Sequence, residues 1–277
     1  MSRRSTTTQL LNFIGKVIDE VVNHQVVDCI YMDFAKAFDT VPHKRLLNKL
    51  SSYGICGKLH AWIKAFLTDR TQRVTVNGVT SEVDVVVSGI PQGSVLGPVL
   101  FIVYINDIFD NIKSEGFLFA DDTKIFKAIQ NEQDAAELQA DIDELERWTN
   151  KWLLKFNPDK CHVLSMGRFE DTKYTKRYQI YSRELEHVFE EKDLGVIVDS
   201  DLSFEEHISA KVRIANAMVG LLRRSFSYLS PQVFRKLYLS LVRPHLEYAQ
   251  TVWSPHSRKL IKMIELNGHV NHGMVCS

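Results

Sequence analysis

This 277-residue chain lacks a net charge: 34 Lys and Arg stand against 34 Asp and Glu. Such a balance does not advertise a nucleic-acid binder or an acidic solvating tail. Cysteine is scarce and scattered, with Cys29, Cys56, Cys161 and Cys276 forming no C-x-x-C pair. That excludes a zinc ribbon or disulfide framework and reads as reduced, mostly buried thiols. Long apolar runs are missing too: the best candidate, residues 95–105, is about half of what a bilayer span requires. Arg3 and Arg4 have no apolar stretch behind them, so no secretory signal is read and a soluble, intracellular protein away from membranes is expected. There is no internal repeat and no low-complexity tract. What is present is ordinary for a globular chain, with 45% hydrophobic and 25% charged residues and length for one large domain or two modest ones.

The charge is less even than its sum. Residues 205–262 hold ten Lys or Arg and only three acids. This stretch reads either as an electrostatic footprint for phosphates or as a solvated helical face.

Apolar periodicity predicts helices over residues 10–22, 42–53, 58–67, 99–109 and 134–154. Pro42 opens the second of these and Gly54 closes it. Short buried strands are predicted over 26–33, 161–166 and 194–198. Asn77–Gly78 between alternating runs marks a hairpin. Residues 116–120 and 123–126 read as two strands folded about an Asp121–Asp122 tip. Beyond residue 205 the chain reads as helical, interrupted at Pro231 and Pro244. Strands and helices without strict alternation predict an α+β fold, an antiparallel sheet packed on helices followed by a small mostly helical region. The boundary is set at 203/204.

Three acids stand out by position: Asp33 ends an apolar strand, and Asp121 and Asp122 sit at an apolar hairpin. Carboxylates against apolar walls are costly unless paired or bound to a cation. If the strands are neighbours, the acids converge and call for a divalent counter-ion with a preference for oxygen. The competing reading is a solvated β-turn and a cap residue.

Residues 31–43, Tyr-Met-Asp-Phe-Ala-Lys-Ala-Phe-Asp-Thr-Val-Pro-His, closely resemble the first palm motif of reverse transcriptases from non-LTR (LINE-like) retrotransposons. Residues 89–98, Gly-Ile-Pro-Gln-Gly-Ser-Val-Leu-Gly-Pro, look like the second, and 119–123, Phe-Ala-Asp-Asp-Thr, like the third. Asn-Pro-Asp-Lys-Cys at 157–161 resembles the fourth, and Lys-Asp-Leu-Gly at 192–195 the primer-grip region. Residues 241–249 with Trp253 look like the family's thumb. The resemblance implies a polymerase palm over 1–203 and a thumb-like region over 204–277. It implies two Mg2+ ions held by Asp33, Asp121, Asp122 and the Phe34 carbonyl. Phe38 matches the gate against a ribose 2′-OH, and Gln92 and Gly93 would meet the incoming dNTP. Lys160 would act as general acid or counter-charge for pyrophosphate. Leu194 and Gly195 would place the primer end, with Arg223 and Arg224 facing primer and template. An RNA template and a DNA primer are the implied partners.

The family's fingers, which precede the first motif, are expected to be missing, with Arg3 and Arg4 their remnant, and residues 268–277 diverge from the family. Two functions follow: an RNA-directed DNA polymerase, or a truncated, inactive nucleic-acid-binding remnant. A palm enzyme making RNA is disfavoured by Phe38.

Overall fold

A computed structural model describes residues 5–23, 25–167, 177–226, 228 and 230–269. Arg3, Arg4, Cys276 and residues 270–277 of the divergent tail lie outside the described residues.

Ser5 starts helix α1 (Thr6–Val22) a turn before the predicted residue 10, because Ser5 and Thr8 cap each other reciprocally. Strand β1 (Val26–Met32) is buried from Val27 onward, as an apolar run predicts. Its one acid, Asp28, accepts a hydrogen bond of 2.7 Å from the Tyr178 hydroxyl. Helices α2 (Ala37–Thr40), α3 (His43–Ser52) and α4 (Gly57–Leu67) follow. Strand β2 (Arg70–Gln72) pairs with β5 (Asp84–Val86), and between them β3 (Thr75–Val76) and β4 (Val79–Thr80) fold about Asn77–Gly78. Both turn residues have positive φ, the type I′ geometry that Asn-Gly favours.

Helix α5 (Leu96–Ile105) begins and ends earlier than predicted, with Pro98 in its first turn, where a missing N–H costs nothing. Strands β6 (Glu115–Phe119) and β7 (Asp122–Ile129) form an antiparallel hairpin. Asn131 then caps helix α6 (Glu132–Trp152) in a capping box with Asp134. The rest of the chain runs through β8 (His162–Met166), β9 (Gln179–Ile180), β10 (Arg183–Glu184), β11 (Glu186–Val188), β12 (Glu190–Asp193) and β13 (Val196–Asp199). Helices α7 (Glu205–Ser225), α8 (Pro231–Leu237), α9 (Arg243–Glu247), α10 (Gln250–Trp253) and α11 (Arg258–His269) close it. The expected interruptions appear: Pro231 opens α8, and Pro244 sits at the start of α9 after a π turn over Tyr238–Val242.

The chain forms two compact units, residues 28–163 with 173–187, and residues 1–27 with 164–172 and 188–277. The five-stranded sheet has the order β11-β8-β1-β7-β6, which puts β1 at its centre. A central strand is covered on both faces, and that is why β1 carries no polar alternation. In the first-named unit Ile30 and Met32 of β1 share one core with Leu100, Phe101 and Tyr104 of α5 and Leu138, Ile142 and Leu145 of α6. Each such side chain contributes about 1.5–3 kcal/mol by burial. Cys29 and Cys161 are buried as expected, whereas Cys56 is exposed.

Lys49 of α3, a residue type that is seldom buried, is only 4% exposed. Its ammonium donates to Asp107 Oδ1 at 2.5 Å and lies 3.8 Å from the Trp152 ring centre. Trp148 Nε1 donates to the same carboxylate at 3.0 Å. Burial lowers the Lys49 pKa, and Asp107 opposes that shift. The cation therefore pins α3 to the end of α5. Lys49 also donates to the Tyr104 carbonyl, so Lys49→Ala leaves that carbonyl without its donor and Asp107 with Trp148 alone and no counter-charge. An unfolding free energy lower by about 3–5 kcal/mol is expected in urea titration.

In the other unit His207 of α7 is fully buried, and its Nδ1 accepts the Ile197 N–H at 3.1 Å. Nε2 meets no hydrogen-bonding partner among the described residues. Burial first, then Lys211, pushes its pKa down to about 4. A depressed histidine pKa means the unfolded chain binds more protons between about pH 6.5 and 4. Its stabilising effect is complete above the ordinary histidine range and is lost as pH falls towards 4. Urea midpoints across this window should fall more steeply for the wild type than for His207→Gln, which does not titrate.

Candidate active site

Asp33 follows β1 directly, and the neighbouring strand β7 begins at Asp122. Phe119 pairs with Asp122, so the hairpin tip is Ala120–Asp121 and not the Asp121–Asp122 pair predicted. Ala120 takes the left-handed residue of this two-residue turn, with φ 53°. Asp121 is thus the turn carboxylate, and Asp122 is an exposed first strand residue. The one-residue offset arises because a sequence reading gives left-handed positions to Asp before Ala.

Lys160 enters from the short turn over Pro158–Lys160. That turn is fastened to the end of β1, since the Asn157 N–H donates to the Asp33 carbonyl at 2.8 Å. The Lys160 ammonium donates to Asp33 Oδ2 at 2.7 Å. Its pKa is raised first by that hydrogen bond, then by the charge of Asp33, with Asp121 adding in the same sense. Asp33, Asp121 and Lys160 therefore share one charge cluster. The Lys160 and Asp33 side chains are 63% and 32% exposed. An ion pair that wet contributes little to stability, so the cluster is not what holds the fold.

Among the described residues no group of three or more His, Cys, Asp or Glu side chains is gathered as a metal cluster. The donor chemistry nonetheless fits a hard cation. Asp33 and Asp121 offer carboxylate oxygens, with a lysine as present counter-charge. The one thiol nearby, Cys161, is buried, which pushes its pKa up to about 11 and keeps it protonated. The ligand set is then oxygen only, the preference of Mg2+ or Ca2+. An isolated bridge joins Phe34 to Phe156 through the Asp33 carbonyl and the Ala35 N–H, which leaves the Phe34 carbonyl out of the bonding.

Phe38, expected from the motif to be a gate, is held by stacking. It lies 4.7 Å from Phe101 of α5, centre to centre, at 25° between planes. Its carbonyl accepts the Ile90 N–H at 2.7 Å. Asp39, present in the first motif but given no role from the sequence, ties the second motif to it. Gln92 Nε2 donates to Asp39 Oδ1 at 2.9 Å, and Ser88 Oγ donates to the Asp39 carbonyl at 2.9 Å. Gly89 passes so close that a Cβ there would stand 2.8 Å from the Asp39 oxygen. His43 Nε2 meets the Gly89 carbonyl at 2.7 Å. Gly93 follows with φ 74° and open space around it. The signal available in the sequence was a carboxylate adjoining the gate aromatic.

Leu194 and Gly195 lie in the other compact unit. They form the two-residue turn between β12 and β13, both with positive φ, and so correct the predicted strand over 194–198. Arg223 and Arg224 are exposed in the last turn of α7.

Residues 6–229 match the family model described as reverse transcriptase (RNA-dependent DNA polymerase). The chain belongs to the reverse transcriptase family. This reverse transcriptase domain is 29% identical over 279 residues to the RNA-directed DNA polymerase from mobile element jockey of Drosophila funebris, covering 95% of the chain and 30% of that protein. It is 27% identical over 271 residues to the probable RNA-directed DNA polymerase from transposon BS of Drosophila melanogaster, covering 90% and 29%. The non-LTR type read from the motifs is the type these relatives represent. The chain spans about 30% of the length of the first. In fold it is like the telomerase from Candida tropicalis in complex with the TWJ fragment of telomeric RNA. The TM-score is 0.50 at 10% identity, covering 98% of this chain and 47% of that one. The α+β expectation, a sheet packed on helices, holds. Reverse transcriptases generally use divalent metal ions. No helix among the described residues is long and apolar enough to cross a membrane.

Asp39→Ala deletes the partner of Gln92 and keeps the backbone bond from Ser88. Amide exchange at Gln92 and Gly93 should rise roughly tenfold, the effect of one lost hydrogen bond, with the thermal midpoint unchanged.

Proposed function

We propose that this reverse transcriptase domain catalyses RNA-directed DNA synthesis. The observation that carries the reading is the shared charge cluster of Asp33, Asp121 and Lys160, and the same unit holds Phe38 against Phe101 and Ile90 through separate contacts. Asp33 and Asp121 would hold the divalent ions, completed by Asp122 and the Phe34 carbonyl, and the oxygen-only set favours two Mg2+. Bound there, the ions lower the pKa of the primer 3′-hydroxyl and neutralise the departing pyrophosphate.

The chain's own residues do the rest. Phe38 presses on the sugar where a 2′-OH would stand, so dNTPs are the substrate. Gln92, oriented by Asp39, and the open Gly93 meet the incoming nucleotide. Lys160, an ammonium kept charged by two carboxylates, gives counter-charge or a proton to the pyrophosphate oxygen. Leu194 and Gly195 place the primer end, and Arg223 and Arg224 take phosphates of the primer and RNA template. In these roles residues 1–203 act as palm and 204–277 as thumb.

Primer extension on an RNA template with dNTPs and Mg2+ tests this. The wild type should extend, Asp121→Asn should lose about 100-fold or more of the rate, and Phe38→Ala should admit rNTPs. An Asp121→Asn variant as active as the wild type sinks the site. Salt-dependent duplex binding with no extension at any metal concentration would reduce the chain to a binding module.

A further inference from the structure

The thumb-like motif at 241–249 has so far no task, and its Tyr248 touches the turn read above as the primer contact. The Tyr248 hydroxyl donates to the Leu194 carbonyl at 2.7 Å and lies 3.0 Å from the Thr6 hydroxyl. The edge of its ring closes over the next residue, where a Cβ on Gly195 would stand 3.2 Å from Cε1. One side chain thus holds both residues of the turn, one by a hydrogen bond and the other by contact.

The turn needs such a hold. Leu194 has φ 46° and Gly195 φ 87°, a type I′ pair in which Asn or Gly, not Leu, is the favoured first residue. A left-handed Leu costs on the order of 1–2 kcal/mol and persists only where its surroundings over-determine it. Asp193 and Val196 close the turn from the strands. Tyr248 closes it from outside.

Tyr248 is itself anchored. Its carbonyl accepts the Trp253 Nε1–H at 2.7 Å. Trp253 is 2% exposed, and its ring lies 5.3 Å from that of His207. His207 takes the Ile197 N–H, two residues past the turn. The contacts make a closed circuit from turn to Tyr248, Trp253, His207 and back to β13. A displacement of the turn must break a bond in this circuit.

We propose that Tyr248 is the positioning residue for the primer end, setting the Leu194–Gly195 turn through its hydroxyl; this rests on the reading of that turn as the primer contact. Tyr248→Phe keeps the ring against Gly195 and the anchor to Trp253 and removes only the hydroxyl, so the fold is retained. Expected are amide exchange at Gly195 and Val196 faster by roughly tenfold and a KM for primer–template higher by roughly five- to tenfold. The dNTP KM, kcat at saturating primer and the thermal midpoint should stay at wild-type values, which a general loss of stability would not allow. Gly195→Ala, crowded by the same ring and strained by φ 87°, should raise the primer KM in the same direction. Wild-type exchange in Tyr248→Phe overturns the positioning claim, even where primers are extended. Faster exchange with an unchanged primer KM overturns its part in primer placement. A wild-type chain that extends no primer removes the underlying reading, and the proposal with it, and is told apart from the other two by the wild type alone.

Discussion

Hydrogen bonding within one sheet is the constraint on which the site depends. β1 is buried on both faces and its internal acid, Asp28, accepts from Tyr178, so the partly exposed carboxylate is the one beyond its end, Asp33. β7 lies next to β1, at the spacing of about 4.8 Å that strand pairing dictates, and opens on the turn holding Asp121. Two carboxylates at the ends of neighbouring strands thus both act on one lysine, and backbone bonds set that arrangement. Lys160 meets them from a turn fastened to the Asp33 carbonyl. Position comes from the backbone, and charge follows position.

The same logic carries the first motif to the second. Asp39 is contacted through its carbonyl, its side chain and its Cα, by Ser88, Gln92 and Gly89 respectively. Only glycine fits at 89, because backbone passes backbone there. Phe38, the residue proposed as the gate, is consequently fixed by two neighbours at once, the Ile90 N–H and the Phe101 ring. Lys49 works one layer below, pinning α3 to the far end of the helix that carries Phe101. Rigidity at Phe38 is thus built from a buried cation and a close backbone crossing.

Elements with strong local signals were legible in the sequence: the apolar β1, the Asn77–Gly78 hairpin and the helix that opens after Pro42. What escaped were positions decided by tertiary contacts. The tip at Ala120–Asp121 was read one residue late, since Ala is a poor left-handed residue and Asp a better one. Leu194–Gly195 was read as strand because both are apolar, although they turn. Nothing in the sequence singled out Lys49 or His207 as buried, because a polar residue in an amphipathic helix shows no burial signal until its partners are known. Asp39 was in the motif and without a role, since its partner Gln92 is 53 positions away.

These misreadings concern turns, and the turns explain one another. At 77–78 the chain uses Asn-Gly, the pair that best fits a two-residue hairpin, and nothing there is a candidate site residue. At 120–121 and 194–195 that pair is absent. Its place is taken by a left-handed Ala followed by a carboxylate, and by a left-handed Leu whose carbonyl is held by Tyr248. A sequence selected for turn stability alone would use the first solution three times. Accepting a less favourable backbone at two hairpins accords with the proposed roles of those turns, which rest on the Asp121 carboxylate in one unit and the Leu194–Gly195 backbone in the other.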